Sequence, residues 1–277
     1  MKNQSKAPLL SYIAAPLMIL VCFSLASLVF TFIVKDPSPV PVFMVFATVQ
    51  VLCMLLSAAL PSKGKAIARS ISKFIIGSFI LILAGILGRN NFQLEGFFLY
   101  AITGTMSGVL VHFLMGKIAG PLLWGRTWCS WGCWSAMIFD LLPFRKDTVW
   151  KRGALPKVRY FHFGFSLVLI IVLYYVFKKS FLQTDPTALN SRLGTVQEMT
   201  WFMVGNGMYY LIGIITAFSF KDNRAFCKYL CPVTVFLKTA SIFSVLRIAG
   251  NKNACNHCKS CVRQCPMSII HCYGFSR

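Results

Sequence analysis

The 277-residue chain is 57% hydrophobic and 13% charged, with a formal net charge of +21 and a positive mean hydropathy. Soluble domains carry about 25% charged residues, so these numbers exclude an ordinary soluble domain and predict a membrane protein. The basic excess invites a polyanionic partner, but the basic residues cluster between apolar runs, which accounts for them without nucleic acid.

Crossing the hydrocarbon of a bilayer takes about 20 helical residues, and six runs approach that length: Leu9 to Val34, Val42 to Leu60, Ile71 to Gly88, Gly96 to Met115, Tyr160 to Phe177 and Trp201 to Phe220. The first follows Lys2 and Lys6, yet it is about twice as long as a signal-peptide core. No small-x-small site follows it, so it reads as an uncleaved anchor. The third contains Lys73, whose stem is expected to carry its charge to the interface. The fourth contains Gly104 and Gly108, a Gly-x3-Gly spacing that lets a second helix approach closely. No run carries an acidic residue at its centre, so proton or ion coupling has no evident carrier and a transporter is disfavoured.

If the N-terminus is cytoplasmic, segments 1–8, 61–73, 116–159 and 221–277 face the cytoplasm and hold 23 of the 28 Lys and Arg. The other side has only Lys35, Arg89, Lys178, Lys179 and Arg192. This is the positive-inside pattern. It predicts a multi-pass protein of the cytoplasmic (inner or plasma) membrane, with cytoplasmic N- and C-termini and the lipid bilayer as a partner. Nucleic acid is not a partner, since no nucleic-acid module is visible.

Two phrases repeat one pattern: "RTWCSWGC" at 126–133 and "RAFCKYLC" at 224–231. Each follows an apolar run, and each precedes a short apolar stretch, the first with Asp140 and the second with Lys238. The spacing predicts an internal repeat, about 96–143 and 201–248, within a transmembrane domain of residues 1–248. A C-x3-C spacing puts two thiols at i and i+4, on one face if the segment is helical. The stretches that follow read as interfacial or re-entrant helices. Two such units about a pseudo-twofold axis would bring Cys129, Cys133, Cys227 and Cys231 together as four soft metal ligands. Cys22 and Cys53, inside the first two runs, read as small apolar side chains.

The segment 249–277 contains "CNHCKSCVRQCP", a C-x2-C-x2-C-x3-C-P run from Cys255 to Pro266. That is the ligand spacing of bacterial 4Fe-4S ferredoxins, whereas zinc sites favour two separated pairs. Cys255, Cys258, Cys261 and Cys265 are the candidate cluster ligands. Three thiolates two residues apart wrap three corners of a cubane. The fourth ligand stays open between Cys265, Cys272 and a thiol of the C-x3-C-P pair, because the C-P cysteine of two-cluster ferredoxins serves the other cluster. Twenty-nine residues are too few to bury a core, so cluster binding is expected to fold this tail. Its cytoplasmic placement keeps the thiols reduced and argues against structural disulfides.

His112 and His162 fall near the cytoplasmic ends of their runs. They read first as interfacial polar residues, next as the lining of a quinone site, and last as haem ligands. Trp124, Trp128, Trp131 and Trp134 match an aromatic belt at headgroup level. Arg126 and Arg224 are expected to stabilise thiolate or cluster charge, or to contact lipid phosphate.

The order of apolar runs, "RTWCSWGC", "RAFCKYLCP" and "CNHCKSCVRQCP" resembles the membrane-bound 4Fe-4S polyferredoxins, the NapH-like and NosR-like proteins, from about residue 70 onward. The resemblance implies an all-α integral membrane protein with about six transmembrane helices, two interfacial or re-entrant C-x3-C segments and a short ferredoxin-like 4Fe-4S tail. It further implies an electron carrier between the quinone pool or another membrane donor and a partner redox protein. Such a chain is an electron-transfer subunit of a quinol-dehydrogenase or oxidoreductase system rather than a free-standing enzyme. One branch of the family resembles a copper reductase, so the alternative is a copper-binding assembly factor that uses the C-x3-C thiols.

Three departures limit the carry-over. Trp134 stands where the family has Pro, so the restraint Pro232 places on Cys231 is absent at Cys133. A single four-cysteine run is present, which implies one [4Fe-4S] cluster and leaves a second to the C-x3-C pairs. No flavin-binding domain precedes the first run, so flavin is not expected.

Overall fold

Residues 9–33, 40–60, 62–104, 107–125, 128–144, 154–176 and 194–245, with Lys35 and Pro37, are described in this computed structural model. Among them there is no strand. The chain divides into two units: Met1–Ile80 with Cys129–Trp134, and Leu81–Trp128 with Ser135–Arg277.

In the first unit, helix α1 (Leu9–Leu28) runs into a π-helical turn (Val29–Ile33), followed by α2 (Val40–Ala59) and α3 (Ser62–Ser78). Helix α1 packs on α2 through Phe23 and Phe30 against Phe43, and α2 packs on α3. Ile13, Leu17, Leu20, Val21, Leu25 and Leu28 of α1 are exposed at helical spacing, a stripe suited to hydrocarbon. Hydroxyl groups in the apolar helices turn back on their own backbone: Ser27 donates to Phe23 O, Thr31 to Ser27 O and Thr48 to Met44 O. Each is thereby satisfied without water. Lys73 does not snorkel as expected; it is buried on α3 beside Ser72, whose Oγ donates to Trp131 O at 3.2 Å.

Among the described residues, four helices are long and apolar enough to cross a membrane: Pro16–Ile33, Ile67–Leu87, Leu155–Val176 and Val196–Phe220. The second apolar run forms α2, of which Phe43–Ala59 is a shorter apolar helix.

The fourth run is broken. In the second unit, α4 (Leu94–Thr103) ends at Gly104, which takes the left-handed conformation (φ 67°) that terminates a helix. Ser107 then caps α5 (Gly108–Phe113), its Oγ accepting from Leu110 N. Helix α5 continues through a π-helical stretch (Leu114–Ala119) into α6 (Gly120–Trp124), and the two halves of the run are bent by 119°. The Gly-x3-Gly is therefore a helix stop and restart. Nothing lies within 4 Å of a Cβ placed on Gly104 or Gly108, so neither glycine receives a second helix among the described residues.

Helices α7 (Trp128–Trp131) and α8 (Trp134–Phe139) follow, then α9 (Val158–Ile171), α10 (Val196–Phe220), α11 (Ala225–Tyr229) and α12 (Thr234–Ile242). Within the second unit, Gly194 N donates to Gly88 O at 2.9 Å at one end. At the other end, Asn223 donates to Leu142 O and Phe144 O, and Val245 N to Leu122 O.

The short helix after each thiol pair packs on the other copy of the repeat. Phe139, at the end of α8, is fully buried against Tyr210 and Phe226. Helix α12 packs on α6 and the π-helical stretch before it, and its Phe236 meets Phe97 and Phe113. Gly213 makes room for Phe139, since a Cβ there would stand 2.1 Å from Phe139 Cζ. Gly213→Val is expected to cost about 1–3 kcal/mol as an overpacked contact. It should lower the thermal unfolding temperature in detergent, with Phe139→Leu partly restoring it.

Candidate functional site

The two C-x3-C copies adopt the same local form. Cys129 lies on the one-turn helix α7 and Cys133 just past its end; Cys227 lies on α11 and Cys231 just past its end. None of the four is in a disulfide, and all are of intermediate exposure. The i, i+4 helical face expected from the spacing is thus cut short by a turn. In the second copy Leu230 N and Cys231 N both bond Phe226 O, at 2.8 and 2.9 Å. Thr234 N and its hydroxyl then both bond Cys231 O. Pro232 behind Cys231 is fully buried, and Trp134 behind Cys133 is buried rather than lying in a surface belt. Cys129 and Cys133 belong to the first unit, Cys227 and Cys231 to the second. Cys255, Cys258, Cys261, Cys265, Cys272 and Arg126 lie outside the described residues.

Arg224 is engaged by a carboxylate of the first copy. Its Nε and Nη2 donate to Asp140 Oδ1 and Oδ2 at 2.5 and 2.7 Å, with Arg224 buried. A planar guanidinium matches a carboxylate in this two-pronged way. The arginine of the second phrase thereby clasps the acid that follows the first. Lys228 donates to Asp222 at 2.6 Å on the same turn, and Arg159 donates to Lys228 O and Pro156 O. Lys238, which stands where Asp140 stands in the first copy, donates to Tyr160.

Sequence reading missed a buried polar chain in the second unit. Glu95, in the first turn of α4, accepts from Ser166 Oγ at 2.7 Å and from Tyr209 OH at 3.5 Å. Ser166 lies midway along the Leu155–Val176 span and Tyr209 midway along α10. Gly205 of α10 also admits Gln93, whose Oε1 would stand 2.1 Å from a Cβ there. The carboxylate therefore sits among the spans although it precedes its own apolar run. No run carries an acid at its own centre, yet this carboxylate from outside the runs bonds residues midway along two spans. The sequence signal was Glu95 itself, one residue before Gly96, where the apolar run begins.

The chain continues from Tyr209. Its hydroxyl lies 3.4 Å from His162 Nε2, and His162 Nδ1 lies 3.1 Å from Leu230 O, beside Cys231. A carbonyl can only accept, so Nδ1 carries the proton and Nε2 presents its lone pair toward the Tyr209 hydroxyl. His112 lies on α5 with its ring edge-on to Phe92, centroids 5.4 Å apart. Beyond Glu95, a small pocket is lined by Asn91, Leu99, Tyr100, Ile170, Glu198 and Trp201, and Tyr100 OH donates to Glu198 Oε2 at 2.9 Å.

The 4Fe-4S binding domain family matches this chain twice, over residues 107–148 and 207–248. Each match contains one C-x3-C pair. These two matches and the relatives below support a 4Fe-4S ferredoxin-like membrane family for this chain. It is 27% identical over 170 residues to the methylamine utilization ferredoxin-type protein MauN of Methylobacillus flagellatus, covering 60% of this chain and 54% of that one. It is 22% identical over 181 residues to YccM of Escherichia coli, a protein named for electron transport, covering 61% and 50%. An uncharacterised protein of Methanocaldococcus jannaschii is 27% identical over 171 residues, covering 58% and 67%. The matched stretch thus spans between half and two thirds of these relatives. No solved structure matches the chain.

The cofactor of this ferredoxin-like protein is a [4Fe-4S] cluster. The donor chemistry suits it: four reduced, half-buried thiols stand at the edges of short helices, and thiolates are the ligands such clusters take. Among the described residues no three of His, Cys, Asp or Glu converge on one metal position.

Proposed function

We propose that this chain is a membrane-embedded electron-transfer subunit that passes electrons between the quinone pool, or another membrane donor, and a partner redox protein. The observation that carries the reading is the double match to a 4Fe-4S binding domain, each copy centred on a C-x3-C pair. The relatives named for ferredoxin-type chemistry and electron transport support it. One cluster is assigned to Cys255, Cys258, Cys261 and Cys265. A second is assigned to the membrane-surface pairs Cys129, Cys133, Cys227 and Cys231. The basic residues at the end of the second unit that holds 221–245 support a cytoplasmic location for both.

When bound, a cluster supplies one-electron chemistry, and this chain's residues hold and insulate it. Helices α11 and α12 fix the Cys231 turn through Phe226 O and Thr234, while the Asp140–Arg224 clasp ties that turn to the first copy. Partner docking falls to the basic surface around the tail.

The test is iron and acid-labile sulfide per polypeptide on anaerobically purified protein, with EPR of the dithionite-reduced sample. About eight irons with interacting signals are expected for two [4Fe-4S] clusters. Zinc without iron would sink the reading.

A further inference from the structure

We infer that Glu95 is a proton-accepting site, linked through Tyr209 and His162 to the second C-x3-C turn, that takes up a proton when the iron-sulfur centre is reduced. The inference rests on the electron-transfer reading and adds charge compensation to it.

Burial comes first. Glu95 is 9% exposed and Glu198 3%, and among the described residues neither bonds a Lys or Arg. A carboxylate so enclosed must be neutralised or bear a heavy desolvation cost. Glu95 Oε1 receives the hydroxyls of Ser166 and Tyr209, while buried Oε2 makes no hydrogen bond and is open to a proton. Among the described residues no third His, Cys, Asp or Glu joins Glu95 and Glu198 at one metal position.

The link to the thiols is geometric. Tyr209 has one hydroxyl hydrogen and two acceptors at nearly equal distance, Glu95 Oε1 at 3.5 Å and His162 Nε2 at 3.4 Å. An ionised Glu95 draws that hydrogen toward itself. A protonated Glu95 releases it to His162, whose other nitrogen holds Leu230 O one residue before Cys231. Tyr209 and His162 are positioning residues with unchanged net protonation. Among the described residues, Tyr100 and Glu198, hydrogen-bonded to each other, line the pocket beside Glu95, and Cys231 faces Tyr209.

The step balances simply. One electron from a one-electron reductant, dithionite in the experiment, adds one negative charge to the protein. One proton from water onto a Glu95 carboxylate oxygen cancels it, and reoxidation by an electron acceptor releases both.

The experiment is a redox titration of the full chain, anaerobically purified in detergent, between pH 6 and 9, with reduced-minus-oxidised infrared spectra. The wild type should lose potential with rising pH, approaching ~59 mV for each tenfold fall in proton activity, and show a protonated-carboxyl band on reduction. Glu95→Gln should flatten the slope and abolish the band, Glu198→Gln should keep both, and Tyr209→Phe should weaken the slope. A pH-independent wild-type potential with a full cluster signal would overturn the inference, as would an unchanged slope and band in Glu95→Gln. A band that follows sodium rather than pH would overturn it too. The wild-type slope and band decide the matter even if the variants fail to fold. A chain without any cluster signal removes the electron-transfer reading itself, which the EPR amplitude reports separately.

Discussion

Replacing Cys129, Cys133, Cys227 and Cys231 together by serine is expected to remove about half of the protein's iron, roughly four of eight atoms for two [4Fe-4S] clusters. The loss should be cooperative. Each pair contributes only two thiols, so Cys227→Ser with Cys231→Ser alone should lose nearly as much iron as the fourfold variant. Serine keeps the size of the side chain, and the turn at Cys231 is held by backbone bonds to Phe226 and Thr234 that do not involve sulfur. The fold should therefore survive, and iron and sulfide analysis with EPR reads the site rather than stability. Unchanged iron with lost Cu(I) binding would assign the pairs to copper handling and leave the tail as the one cluster.

Arg224→Ala is expected to destabilise the second unit by roughly 3 kcal/mol, the lower end of the range for breaking a buried ion pair. Arg224 has a side-chain exposure of 5%, but Asp140 keeps 26% and can be partly resolvated. Arg224→Lys should recover little, because a single ammonium cannot reproduce the two-pronged contact. Thermal unfolding in detergent tests this. The diagnostic partner is Asp140→Asn, which leaves a buried guanidinium without its charge and should cost nearly as much. If both variants unfold like the wild type, the clasp contributes nothing to stability.

Much of this architecture is legible in the sequence. Hydropathy finds the apolar runs because burial in lipid is a property of composition, and the paired phrases at 126–133 and 224–231 mark the two matched domains by cysteine spacing alone. The failures share a cause: each depends on where a chain segment goes in three dimensions. Gly104 to Gly108 fits a packing motif and a helix break equally well until Ser107 is seen capping α5. Lys73 and Arg224 are charges whose partners or enclosures come from distant sequence. Glu95 sits next to an apolar run, and the packing of α4 on α9 brings it beside Ser166, with Tyr209 of α10 also in reach.

The exchanged short helices bear on how the protein is made. Helix α8 leaves the ribosome before α10 exists, yet Phe139 rests against Tyr210, and Asp140 waits for Arg224. The first half cannot seat its own surface helix during synthesis, and α12 closes on α6 only at the end. Biogenesis is then a two-stage affair, with insertion of the spans preceding the docking of both surface helices.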